Sequence, residues 1–130
     1  MSRRVHVAVG VIINADGQLL LAKRPAHLHQ GGKWEFPGGK VEAGEHVNDA
    51  LIRELAEEVN LQVHASSPFM LQRFDYPDKQ VLLDIHLITE FSGQATGLEG
   101  QQVCWVSLEE LRHYDFPAAN TAIVDKLLSR

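Results

Sequence analysis

The stretch Gly38 to Leu61, GGKVEAGEHVNDALIRELAEEVNL, combines glycines, carboxylates and a helical repeat. From Val47 to Val59 the pattern is that of an amphipathic helix. At about 100° per residue, with Val47 at zero, Val47, Leu51, Leu55 and Val59 fall at roughly 0, 40, 80 and 120° and form the apolar stripe. Glu54, Glu57 and Glu58 fall at roughly 340, 280 and 20°, so the acidic stripe borders the apolar one instead of lying opposite it. Solubility alone would put these charges away from the core. At the core's edge, desolvation and mutual repulsion raise carboxylate pKa values, and a positive partner is expected there. An oxygen-only, partly exposed ligand set suits a hard divalent cation such as magnesium, which commonly carries phosphate oxygens as well.

Upstream, Val5 to Ile13 and Gln18 to Ala22 read as strands joined through the Asn14-Ala15-Asp16-Gly17 turn, an opening hairpin. Lys23 to Gly32 is a loop, Lys33 to Phe36 a short strand, and Pro37-Gly38-Gly39 a turn into the helix. His46 stands where a capping Ser or Thr would be expected, while Asn60 suits the left-handed residue that closes a helix. Downstream come strands over Phe69 to Tyr76, Val81 to Phe91 and Gln102 to Val106. Ser107-Leu108-Glu109-Glu110 is a capping box opening a short helix, and a last helix runs to about Leu128. Antiparallel hairpins with one long crossover helix predict an α+β fold, a three-layer α/β/α sandwich around a mixed β-sheet.

At 130 residues the chain suits one domain, residues 1–130, with a sizeable core. A net charge of −5 argues against a stable nucleic-acid complex, though not against a phosphorylated small molecule. The lone Cys104 cannot form an internal disulfide and reads as a buried small hydrophobe, consistent with a reducing, cytoplasmic setting. The opening MSRRVHVAVGVII is too short for a secretory signal and lacks a cleavage site, and no segment is long enough to cross a membrane.

Gly39, Glu45, Arg53, Glu54, Leu55, Glu57, Glu58 and Leu61 stand at the spacing of the Nudix box, and the chain resembles the Nudix hydrolase family. Asn60 departs from it, since the family has glycine there. Four further stretches are similar to the MutT branch, bacterial hydrolases that clear 8-oxoguanine nucleoside triphosphates. They are Val7-Ala8-Val9-Gly10-Val11, Lys33 to Lys40, Phe74 to Asp78, and Asp115-Phe116-Pro117-Ala118-Ala119-Asn120. The resemblance implies the Nudix fold and water attack on the β-phosphorus of a nucleoside triphosphate, with 8-oxo-dGTP the expected substrate, releasing a monophosphate and pyrophosphate. It also implies magnesium, or manganese, held by Glu54, Glu57, Glu58, the Gly38 carbonyl and Glu99, and leaves open which carboxylate is the base. Glu45 and Arg53 would complete the catalytic set by bracing loop to helix.

The expected substrate-binding set is Arg24, His29, Gly38, Gly39, Lys40, Lys79 and Asn120. Arg24 and His29 lie in the loop where a triphosphate needs positive charge, although a solvated loop would account for His29 equally well. Lys79 would offer a backbone contact to the base. Asn120 is either a cap before the last helix or, as the resemblance implies, the reader of the purine edge. Glu99 by itself would be an exposed loop acid. Phe36, Phe74 and Tyr76 are expected in the core and not in the pocket wall. A monomer acting on a small nucleotide is expected. The alternatives are another substrate, such as CTP or a nucleoside diphosphate derivative, and a non-catalytic 8-oxoguanine-binding module.

Overall fold

Strand β1 (Arg4–Ile12) runs through the middle of the molecule with both of its edges occupied. A computed structural model describes residues 4–24, 27 and 31–130. On one side β1 pairs antiparallel with β4 (Gly38–Lys40), and on the other it pairs parallel with β6 (Lys79–Ser92), so that Val9 faces both Gly38 and Ile85. Strand β5 (Gln62–Tyr76) completes this mixed sheet in the order β4-β1-β6-β5. A second, antiparallel sheet joins β3 (Trp34–Glu35), β2 (Leu19–Lys23) and β7 (Val103–Val106).

Full occupancy of β1 overturns the opening hairpin. The Asn14 turn forms, with Asn14 Oδ1 accepting from the backbone N–H groups of Asp16 and Gln18 (3.0 and 2.9 Å). Beyond it, β1 and β2 share only the Ile13–Leu19 bridge, because β1 has no free edge left for β2 to join. For the same reason Gly38 and Gly39 are strand residues and not a turn. A Cβ at Gly38 would run into the Ala8 carbonyl, so only glycine lets β4 lie this close to β1. Strand β5 starts seven residues before the expected Phe69 (62 against 69); its register shifts three times between Val63 and Met70, which scrambles the alternation that marks a strand.

The two faces of β1 divide the core. Ala8 and Ile12 pack with Ala50, Leu51, Leu55 and Val59 of helix α1 (Val47–Val59), whose bounds match the periodicity. Val9 and Val11 pack on the opposite side with Ile123, Val124 and Leu127 of helix α2 (Thr121–Leu128). Each buried Leu or Ile contributes about 1.5–3 kcal/mol, so α1 is held chiefly by its apolar stripe. These are the three layers expected. Among the described residues no helix is long and apolar enough to cross a membrane.

Helix α1 starts without a side-chain cap, as His46 foretells. Its first turn is tied down instead by Asn48, whose Oδ1 accepts from Ser66 Oγ (2.6 Å), itself 2.8 Å from His86 Nδ1 on β6. The Ser107 capping box closes reciprocally around Glu110 (2.8 and 3.2 Å) and opens a 3-10 turn, Glu109–His113. A second such turn, Ala118–Asn120, leads directly into α2.

At the far end of α1, Asn60 is left-handed, with φ 63°, and donates its N–H to Leu55 O. A β-carbon with no compensating side-chain polarity costs roughly 1–2 kcal/mol in that conformation. Asn60→Ala should therefore lower unfolding free energy by about 1 kcal/mol in urea titrations, while Asn60→Gly stays within a few tenths of wild type. Equal losses in both variants would place the effect in the Asn60 Nδ2 bond to Gln94 O (3.2 Å) instead of in the backbone.

Candidate active site

Four of the box residues are joined by one guanidinium. Arg53, on α1, places Nε and Nη2 against the two oxygens of Glu45 (3.0 Å each), a fork on a carboxylate. Its Nη1 donates to Glu54 Oε1 (2.8 Å) and lies 3.8 Å from Glu57, and Nη2 also reaches the Lys40 carbonyl (3.1 Å). Glu45 accepts in addition from the Glu42 N–H (2.9 Å). These donors pull the Glu45 carboxyl down to about 2, and the carboxylates hold the Arg53 guanidinium well above its usual range. The brace expected between loop and helix is thus present, and it fixes α1 against β4.

Braced in this way, the acidic edge of α1 faces the sheet. Gly39 lies so close to Glu54 that a Cβ there would meet the carboxylate carbon and both its oxygens. One turn on, the Glu58 carboxyl lies beside that of Glu54, and its Oε2 is buried with no hydrogen-bond partner. Burial first, then the contact and charge of Glu54 and the charges of Glu99 and Glu35, push the Glu58 carboxyl up to about 9. Glu57 is more peripheral, its side chain 59% exposed beside Arg53. Glu99 stands on the loop between β6 and β7 and lines the same cleft as Glu58. As the side chains stand, no three His, Cys, Asp or Glu groups among the described residues surround a common point. An orphaned carboxylate oxygen among like charges, with oxygen donors only, nevertheless has the chemistry that suits a hard divalent cation.

Beyond the acids opens a cleft of about 320 Å³, within the range of small-molecule sites. Gly38, Gly39, Lys40, Glu58 and Glu99 line it, as do Arg24, Lys79 and Asn120. His29 lies outside the described residues. Arg24 Nη1 donates to Glu35 Oε1 (2.7 Å). Burial raises the Glu35 carboxyl above its usual range even though Arg24 opposes the shift. Lys79 begins β6 just after the Pro77-Asp78 hairpin tip, paired with Tyr76. Asn120 is 9% exposed, and its carboxamide makes no capping hydrogen bond to α2 although it occupies the capping position. The cap reading of this residue therefore fails on geometry, and a buried donor–acceptor group is left lining the cleft.

Several cleft residues were not singled out by the sequence. Tyr76 and Phe36, expected only in the core, both line the cleft, and Tyr76 Oη accepts from the Ala119 N–H (2.9 Å), tying the β5–β6 hairpin to the segment that carries Asn120. Phe36 stacks on Phe116 at 5.5 Å and is otherwise core. Phe74 packs against Tyr76, as a core residue should. Glu35 and Gln101 also line the cleft; their only sequence signal is adjacency, Glu35 within Lys33 to Lys40 and Gln101 two positions after Glu99.

Comparison with known proteins agrees with this geometry. The 8-oxo-dGTP diphosphatase of Escherichia coli is 38% identical over 125 residues, spanning 96% of this chain and 97% of its own length. The CTP pyrophosphohydrolase of the same organism is 33% identical over 121 residues, covering 93% of this chain and 90% of its own. A solved structure of MutT, from Aliivibrio salmonicida or Vibrio cholerae, superimposes with a TM-score of 0.85 at 43% identity and 98% coverage of both chains. Residues 8–126 match the NUDIX domain, and with the box braced by Arg53 and the acids gathered at the edge of α1, the chain belongs to the Nudix family.

Proposed function

We propose that this chain hydrolyses nucleoside triphosphates to a monophosphate and pyrophosphate, with 8-oxo-dGTP as its preferred substrate and magnesium as its metal. The observation that carries the reading is the buried, unpartnered Glu58 oxygen in a cleft that the Asn120 carboxamide, free of any capping bond, also lines. The 8-oxo-dGTP diphosphatase activity of the E. coli relative supports the choice of base. Residues 1–130 are read as a single cytoplasmic domain acting as a monomer.

Nudix hydrolases depend on a divalent cation, which when bound neutralises phosphate charge and acidifies water. Glu54, Glu58, Glu57 and Glu99, with the Gly38 carbonyl, are the groups that would hold it. Arg53, gripped by Glu45, keeps Glu54 and Glu57 in place, while Arg24 and Lys40 add positive charge along the phosphates. A carboxylate of the cluster takes the proton from the attacking water. A new P–O bond forms at the β-phosphorus as the bond to the α–β bridging oxygen breaks, and the electron pair leaves with the monophosphate. Asn120 sets one donor and one acceptor against the purine edge, with Lys79 offering its backbone nearby.

A panel of 8-oxo-dGTP, dGTP and CTP tests this reading. Wild type should prefer 8-oxo-dGTP over dGTP by at least about a hundredfold in kcat/KM, a difference near 2.7 kcal/mol in the transition state. Asn120→Ala should narrow that ratio at least tenfold with smaller loss on dGTP, and Glu58→Gln should abolish turnover of every nucleotide. A preference for CTP, the substrate named for one relative, would keep the family chemistry and reject the base assignment.

Glu58 also links cation binding to pH. Its folded value of about 9 lies above the ordinary carboxylate 4.5, so the folded chain holds a proton that the unfolded chain releases. That contribution to stability is full below about pH 4.5 and is lost as pH rises towards 9. In chelator the melting temperature should fall across this window. The rise in melting temperature on adding magnesium should be larger at pH 8.5 than at pH 6, because less proton must be displaced. A magnesium effect of equal size at both pH values, or one that persists in full in Glu58→Gln, would contradict this linkage.

A further inference from the structure

Glu99 stands in a loop with no regular structure of its own, between Gly93 and Gly100, yet that loop is fastened along the C-terminal end of α1. The Thr96 N–H donates to Val59 O (3.0 Å) and the Leu98 N–H to Glu58 O (2.9 Å). Both are carbonyls that a helix end leaves without intrahelical partners. Gln101 completes the fastening with its side chain. Its Nε2 donates to the Glu58 carbonyl (3.0 Å), and its Oε1 accepts from the Glu99 N–H (2.9 Å). One planar carboxamide thus spans the backbones of two residues whose carboxylates line the same cleft. The loop is wound closely around it, since a Cβ at Gly97 would run into the Gln101 backbone carbonyl and crowd its side-chain oxygen.

We infer that Gln101 is a positioning residue that fixes Glu99 relative to Glu58, so that the two carboxylates stand at a set separation before any cation arrives. The inference rests on the reading of Glu58 and Glu99 as cation-holding groups. Only a carboxamide supplies a donor and an acceptor from one rigid plane; methionine matches its length and flexibility but supplies neither at useful strength. Without the clip, Glu99 would have to be ordered at the moment of binding, and cation affinity would fall although Glu99 itself is intact.

The test is manganese binding to the nucleotide-free protein by isothermal titration, in wild type, Gln101→Met, Glu99→Gln and the double variant. Gln101→Met should weaken binding about tenfold, in the range of lost outer-shell contacts, with Glu99→Gln at least as weak. The double variant should be no weaker than Glu99→Gln alone, because the clip has nothing left to position. Unchanged affinity in Gln101→Met, or losses that multiply in the double variant, would overturn the inference while leaving Glu99 as a cation-holding group. Unchanged affinity in Glu99→Gln would reject that reading of Glu99, and the inference with it. Amide exchange on the wild type is a check that needs no variant. The Glu99 N–H should be protected, and exchange at the rate of an unstructured peptide would mean that the clip does not hold.

Discussion

The burial of the Glu58 carboxyl beside Glu54 is the constraint on which the site depends. Taking a carboxylate out of water costs on the order of several kcal/mol unless it is paired or protonated, a large fraction of the net stability of a domain this size. The chain nevertheless places the Glu54 and Glu58 carboxyls side by side at the edge of α1. It does so by surrounding them with devices that would have little purpose otherwise. Arg53 holds Glu54 from one side while gripping Glu45 and the Lys40 carbonyl, and Gly39 gives up its side chain so that β4 can lie against the Glu54 carboxylate. The cost that remains shows in Glu58, whose proton is retained far above the ordinary carboxylate range and whose Oε2 has no partner.

The arrangement also explains why the sheet is built as it is. Strand β1 takes β4 on one edge and β6 on the other, which brings Gly38 and Gly39 beside α1 on one face and leaves Val9 and Leu83 towards the cleft. The same crowding of β1 sends β2 away to pair with β3 and β7. The Glu58 and Glu99 carboxylates and the Asn120 carboxamide then line one cleft. The Tyr76 hydroxyl, on the same cleft, accepts from the Ala119 N–H and holds the β5–β6 hairpin to the segment that carries Asn120.

What the sequence disclosed, and what it hid, follows from the range of the interactions involved. Helix α1 was legible to the residue because its apolar repeat, its weak start at His46 and its left-handed Asn60 are all local signals. The Ser107 box was legible for the same reason. The β1–β2 hairpin was misread because the Asn14 turn is a local signal, whereas the competition for the edges of β1 comes from residues more than 25 and 70 positions away (9 against 38 and 85). The early half of β5 was hidden by bulges that break its alternation. At the site, the acids, Arg53 and Asn120 stood out through spacing and resemblance. Glu35, Tyr76 and Gln101 did not, since a half-buried glutamate, an aromatic in a strand and a glutamine after a loop acid acquire meaning only from what folds against them.

The acidic edge of α1, with its buried unpaired oxygen, is proposed as the place that holds a divalent cation. The most direct measurement is anomalous scattering from a crystal of the protein soaked in manganese. A peak is expected within bonding distance, about 2.0–2.3 Å, of Glu54 or Glu58 oxygens, on the side facing the Gly38 carbonyl. A well-ordered site with no such peak, or manganese bound only elsewhere on the surface, would contradict it.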